Sequence, residues 1–401
     1  MDRRQGRGVL AVPDFRRLWV VGLALSVARW LEMLVIGVIA FQQTGSAFVV
    51  AAMTLLRLLP LGLFGALLGV LADRAPRRLT LLAVLALQAA AAGALSAFAF
   101  AGALTVWQMA VASFLSGAGW ATDNPVRRMM VGEAVGTARM GAAMSLDVMA
   151  SNASRVAGPA LGGTLLATLG AGTAFGLAAL LQLAAIGAAA RVRCGATAAA
   201  PAQHEPVLRQ LRESFALALH LPKLRGVLVV TVVFNLFGWP CTSMIPVIGQ
   251  QPLGLGPEGV GVLASMEGLG ALLGAGLVGM LASPARYAAV YVGGTALYLA
   301  MCILFALAPH PVPAGLALLT VGIGGAGFAT MQATLVYLTT PPEIRGRALG
   351  LLATAIGTGL LGFLQLGLLA EWLGAPEATA LVAAQGLTAL LATRRLWRPL
   401  L

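Results

Sequence analysis

Long, nearly uncharged apolar runs recur along the chain, separated by short connectors rich in glycine, proline or arginine. A helix crossing the hydrocarbon core of a bilayer needs about 20 such residues. The pattern predicts twelve: 18–41, 47–71, 79–100, 104–126, 141–168, 171–190, 226–248, 259–282, 287–308, 313–338, 348–370 and 377–393. One connector, 191–225, is long and polar, and it separates six runs from six; it reads as a linker with a short amphipathic helix after Pro206. The halves also echo one another. GVLAD (Gly69 to Asp73) closes the second run as GMLAS (Gly279 to Ser283) closes the eighth, and TARMGAAMSL (137–146) enters the fifth as RGRALGLLAT (345–354) enters the eleventh. Two matches at nearly one offset indicate a duplicated six-helix unit.

Charge orients this array. The chain has 26 Lys and Arg residues, and all but Arg29, Arg57 and Arg155 fall at the N-terminus, the C-terminus or in loops on one side. Loops on the other side, such as QQTGSA and APHPVPAG, are short and nearly uncharged. Because cytoplasmic loops carry the excess of Lys and Arg, both termini are expected in the cytoplasm. The net charge of +12 is therefore topological, and no nucleic-acid surface is implied. The arginine-rich N-terminus leads into a run too long for a signal-peptide core, so the first span is expected to be retained.

Composition agrees: 59% of residues are hydrophobic, 10% are charged, and the mean hydropathy is +0.90. Fifty glycines suit closely approaching helices, which in lipid associate through small residues. At 6% aromatic, the chain is too poor in rings for a membrane barrel's girdles. Cys194, Cys241 and Cys302 lie far apart without metal-ligand or redox spacing. His204, His220 and His310 fall in loops. No phosphate-cradling glycine loop ending in Lys-Ser or Lys-Thr occurs, so the chain is expected to draw on an ion gradient, with no cofactor, no metal and no enzymatic chemistry.

GVLADRAPRRLTLL carries Gly69, Asp73, Arg74, Arg77 and Arg78 between the second and third runs. This resembles the corresponding loop of major facilitator superfamily transporters. In that superfamily the acid and bases form a breakable latch at the cytoplasmic helix ends, which stabilises the outward-facing state. GPALGG in the fifth run, with Gly158, Pro159, Gly162 and Gly163, resembles the motif of proton-coupled exporters there; its glycines and proline suit both tight packing and bending. TGSAFVV, LLP, DNPVRR, ASRVAGPALGG and PPEIRGRA follow in an order that resembles the bacterial enterobactin-exporter-like branch, the transmembrane secretion effectors. Two features depart from it. Arg29 stands before Trp30 where that branch carries an acid, with Glu32 following, and the fourth run as read, 104–126, contains no arginine.

Ionisable groups inside a span cost at least about 2.5–3.5 kcal/mol on insertion scales, and they face a cavity or a partner. Here they are Arg29, Glu32, Arg57, Asp147, Arg155 and Glu267. At about 1.5 Å of rise per residue, Arg29, Glu32 and Arg57 all reach the midplane. Arg29 and Glu32, three apart, are placed to pair on one helix face, either as a structural pair or as a proton carrier beside an arginine free for an anionic solute. Glu267, without a cation near it in sequence, is a protonation candidate. Asp147 and Arg155 share a face, though too far apart for direct contact. Asp123 reads as a helix-end or latch residue, and Asn152, Asn235, Gln332 and Gln365 as hydrogen-bonding groups at cavity depth.

The sequence thus predicts an all-α membrane protein, with twelve transmembrane helices in two six-helix bundles of major facilitator fold: 1–190, a linker 191–225, and 226–401. The resemblance implies a monomeric secondary transporter of the bacterial inner membrane. It would be a proton-coupled exporter of a siderophore or similar small anionic amphiphile, with protons, lipid and a small-molecule substrate as its partners. Broad multidrug efflux and a transporter-like solute sensor remain alternatives.

Overall fold

The computed structural model describes residues 8–74, 76–194, 221–341 and 344–401, with the side chains of 63–74 and of Leu281 outside that description. These residues are helical almost throughout, with no strand among them. Four helices come first: α1 (Pro13–Thr44), α2 (Ala47–Arg74), α3 (Arg77–Phe100) and α4 (Val106–Val135). The run Met140–Ala189 is broken at Gly170, whose φ of 80° is closed to most side chains, and so forms two spans, α5 (140–169) and α6 (171–189). After the linker come α7 (Pro222–Gln250), α8 (Pro257–Leu281), α9 (Tyr287–Ala306), α10 (Pro311–Thr339), α11 (Arg345–Leu373) and α12 (Ala375–Ala392). Gly374, at φ 91°, makes the turn between the last two. Among the described residues the fold is all-α, its twelve membrane helices lying six before and six after the linker.

The expected linker helix after Pro206 lies outside the described residues, as do residue 75, Pro342 and Glu343. Two spans differ from expectation. The fourth is expected over 104–126, but α4 runs on to Val135 with Pro125 inside it. Neighbouring helices stabilise such interruptions in a membrane, and the continuation places Arg127 and Arg128 on a span. The seventh, expected over 226–248, runs over Pro222–Gln250 and is helical to Val233, followed by a π-turn at Phe234–Gly238, a 3₁₀ segment at Trp239–Met244 and a final helix Ile245–Gln250. Pro240 has no N–H for the Leu236 carbonyl four residues back. The backbone of α11 closes on that carbonyl: a Cβ on Gly362 would stand 2.3 Å from Leu236 O.

Contacts divide the chain into two units, Met1–Ile36 with Leu56–Ala202, and Gly37–Leu55 with Gln203–Leu401. In the first, Phe15, Leu18, Leu81, Leu85, Val126 and Met130 form an apolar core at the arginine-rich end. Arg17 donates 2.7 Å to Arg191 O, and Arg78 donates to Ala190 O. Basic side chains thereby satisfy the open carbonyls where α6 ends.

The second unit includes the turn joining α1 to α2. Gln250 donates to Val38 O, and Glu371 accepts from Ser46 Oγ at 2.8 Å and Phe48 N at 3.4 Å. Elsewhere α8 and α10 meet backbone to backbone, since a Cβ on Gly270 would lie 1.8 Å from Leu319 O and one on Gly322 would lie 2.1 Å from Glu267 O. Gly276 on the same helix faces open space. Gly270→Ala is expected to cost about 1–3 kcal/mol through overpacking, seen as a lower melting temperature of the detergent-solubilised protein. Gly276→Ala should leave it unchanged or slightly raised.

Candidate functional site

Six helices of the first unit converge on a buried network of charges. Glu32 of α1 and Arg57 of α2 are only 3% and 4% exposed, with Arg57 Nη2 3.3 Å from Glu32 Oε2. Ser116 of α4 donates to the same oxygen at 3.2 Å, and Gln182 of α6 donates to Oε1 at 3.0 Å. The other guanidinium nitrogen of Arg57 reaches Arg29 O at 3.1 Å. Gly117 lets α2 and α4 approach this closely: its Cβ would lie 1.9 Å from Arg57 O.

One turn away, Arg29 pairs with Asp123 of α4 at 3.2 Å, and Gln88 of α3 donates to the same carboxylate oxygen at 3.4 Å. Below that, Arg127 grips Asp147 of α5 with two bonds, 2.5 and 3.3 Å, and Arg128 stands 3.7 Å from Asp147. Three ion pairs thus descend through the helices. A buried pair repays its desolvation only partly, so their depth calls for a reason beyond stability, and ionisable groups at membrane depth mark solute and proton paths.

This arrangement corrects two expectations and adds a partner. Arg29 and Glu32 do not pair; each turns to a different helix, because α2 and α4 supply partners better placed than a neighbour one turn along. Asp147 is held by Arg127, with Arg128 beside it. Asp123, read as a helix-end or latch residue, is a buried partner of Arg29. Arg155 lies over the Trp30 ring at 4.9 Å, as Arg29 does over Trp120 at 4.9 Å. Ser116, Gln88 and Gln182 were not singled out, although a lone glutamine within GLAALLQLAAIG is itself a signal that a partner waits at that depth.

GPALGG packs α5 onto α1 beside this network. A Cβ on Gly158 would meet Trp30 Cβ at 2.6 Å, and one on Gly162 would meet Leu31 O at 3.1 Å; Pro159 and Gly163 are buried with them. Of the loop motif, the side chains of Gly69, Asp73 and Arg74 lie outside the described residues. Arg77 pairs with Glu133.

Glu267 and Asn235 belong to the second unit. Glu267 is buried, within electrostatic reach of Tyr298 and Cys302. Asn235 donates to Thr231 O at 2.8 Å beside Tyr291, which is 2.7 Å from Thr231 Oγ1. Cys241 donates to Phe237 O at 3.1 Å. Outside the spans, burial and the nearby Asp14 push the Cys194 thiol above its usual range, away from the reactive thiolate.

Residues 8–399 match the family model described as transmembrane secretion effector. The chain belongs to that family. The macrolide efflux protein A of Streptococcus pyogenes is 25% identical over 278 residues, which cover 66% of each chain, just under two thirds of that protein's length. An uncharacterized transporter of the major facilitator type from Bacillus subtilis, YfiS, is 26% identical across 87% of this chain and 85% of its own. Among solved structures, a mutant of the nucleoside transporter NupG superposes with a TM-score of 0.79 at 12% identity, over 96% of this chain and 100% of that one. A peptide transporter in complex with sulfate gives 0.73 at 14% identity, over 99% of both. This transmembrane secretion effector is therefore a multi-pass membrane transporter of the major facilitator type, not an enzyme.

Removing one partner of a buried pair strands the other charge at a cost of about 3–5 kcal/mol, whereas replacing both with apolar groups is often neutral. Asp147→Ala is accordingly expected to lower the unfolding temperature sharply, and Arg127→Met combined with Asp147→Leu to recover most of that loss, as read by thermal unfolding in detergent.

Proposed function

We propose that this protein is a proton-coupled exporter of a small amphiphile across the bacterial inner membrane, working by alternating access, with Glu32 as the proton carrier. The observation that carries the reading is a carboxylate sealed in the first unit and held by one arginine, one hydroxyl and one amide. Such a group gains or loses a proton only by rearranging its neighbours, which couples its charge to conformation. Protonation from outside would release Arg57, and loss of the proton inside would restore the pair. The halves 1–190 and 226–401, joined by 191–225, would be the moving bodies of a monomer with both termini in the cytoplasm. Glu267, buried in the second unit, is the second carrier candidate. Gly69, Asp73, Arg74, Arg77 and Arg78 would form the cytoplasmic latch, and GPALGG the flexible seam of α5.

Charge linkage bears on the substrate. Export by exchange needs a solute that leaves when the proton arrives, so the two must compete. A basic group competes with a proton at Glu32, while an anion drawn to Arg57 binds better once Glu32 is neutral and would travel with the proton. The network therefore favours a cationic amphiphile, in keeping with the macrolide efflux protein of S. pyogenes to which the chain is similar. The anionic siderophore is the second reading, favoured by Arg29 over Trp120 and Arg155 over Trp30, which together offer rings and positive charge.

Proteoliposomes under an imposed pH gradient test both. Each pH unit supports about tenfold accumulation per exchanged proton. The wild type is expected to concentrate tetraphenylphosphonium against its gradient, with Glu32→Gln retaining only downhill exchange. Undiminished gradient-driven accumulation in Glu32→Gln would remove Glu32 from the mechanism. Accumulation of a catecholate siderophore in place of the cation would favour the second reading.

A further inference from the structure

Gln182 is 2% exposed, and its amide is used on one side only. Nε2 donates 3.0 Å to Glu32 Oε1, while its own Oε1 is buried without a hydrogen-bond partner among the described residues. An unsatisfied buried acceptor costs about 1–3 kcal/mol. A purely structural glutamine would be placed to avoid that penalty. An amide, however, carries its donor and acceptor at equivalent ends, and a half-turn of its terminal torsion exchanges them.

Protonation of Glu32 creates the matching need. The ionised carboxylate only accepts, and all its partners here donate: Arg57, Ser116 and Gln182. A protonated carboxyl carries an O–H that must find an acceptor. Arg57 has none to give. Ser116 sits on the Oε2 side with Arg57, leaving the Oε1 side to Gln182. Among the described residues, Arg155 of α5 is engaged over the Trp30 ring. Arg57 faces Glu32 from α2; Asp123 and Arg127 approach from α4, Asp147 from α5 and Arg29 from α1 itself, and these form pairs of their own. Residues 171–189 of α6 include no titratable side chain, and Gln88 is the polar group of α3 at this depth.

We propose that Gln182 is the positioning residue of the proton site: its amide donates to ionised Glu32 and, turned end for end, accepts the O–H of protonated Glu32. The carboxyl group of Glu32 then has a partner in either state, and α6 is tied to the charge of α1 throughout. The inference rests on the reading of Glu32 as the proton carrier.

Infrared difference spectra of the purified protein in lipid, recorded on acidification, test it without any substrate. The wild type is expected to gain a hydrogen-bonded carboxylic-acid carbonyl band that is missing in Glu32→Gln. In Gln182→Met, of similar shape but unable to accept the proton, that band should move to the higher frequency of a free acid. Its half-protonation pH should rise by about one unit, because the charge-assisted hydrogen bond lost from ionised Glu32 outweighs the neutral one lost from the acid by about 1.4 kcal/mol. Gln182→Asn, which keeps the amide but withdraws it, should displace the midpoint as well and serves if the methionine variant does not fold. A Glu32 band unchanged in frequency and midpoint in the Gln182 variants would overturn the role of Gln182 while leaving Glu32 as carrier. Absence of any Glu32-dependent band would overturn both.

Discussion

A charged side chain in the middle of a membrane must be answered by another group of the protein, and the first unit is organised around that requirement. Glu32 cannot sit in α1 without Arg57, Arg57 cannot reach it without the bare backbone of Gly117, and neither is complete without the hydroxyl and amide from α4 and α6. The same rule repeats down the helices through Arg29 with Asp123 and Arg127 with Asp147. Water cannot pay the solvation debt here, so helix positions are set by where these partners must meet. A network assembled to hold charge is also one whose shape depends on that charge.

Glycine makes the geometry possible. In lipid no hydrophobic force drives helices together, and close backbone approach supplies the packing energy. Gly158 and Gly162 lay α5 on α1 at Trp30 and Leu31, next to Glu32, while Gly270 and Gly322 do the same for α8 and α10 beside Glu267. The two acids therefore sit beside glycine-packed helix seams of their respective units. The broken α7, where a π-turn gives way to a 3₁₀ segment around Pro240, adds the kind of irregularity often found at functional sites.

The array of spans was legible because hydrophobicity and arginine placement are local signals: one sets length, the other sets sides. Legibility failed where the outcome depended on another helix. Pro125 and the charges around it looked like an exit from the membrane, yet α4 continues, because Arg127 finds Asp147 on α5. The spacing of Arg29 and Glu32 suggested a local pair, which competing partners on α2 and α4 dissolve. Apart from Arg127, the charged members of the site were thus named from sequence while their pairings were not, since pairing depends on which helices face each other. Ser116, Gln88 and Gln182 went unnoticed because a neutral polar residue in a membrane helix is ordinarily a packing contact, and only its position opposite a carboxylate gives it meaning.

The central claim is that Glu32 exchanges a proton in a way that moves charge within the protein. Transient current after a pH step on a sensor coated with proteoliposomes measures this directly, in the absence of any substrate. The wild type should give a current that Glu32→Gln abolishes and Glu267→Gln preserves. A current that survives in Glu32→Gln and vanishes in Glu267→Gln would contradict the account and move proton coupling to the second unit.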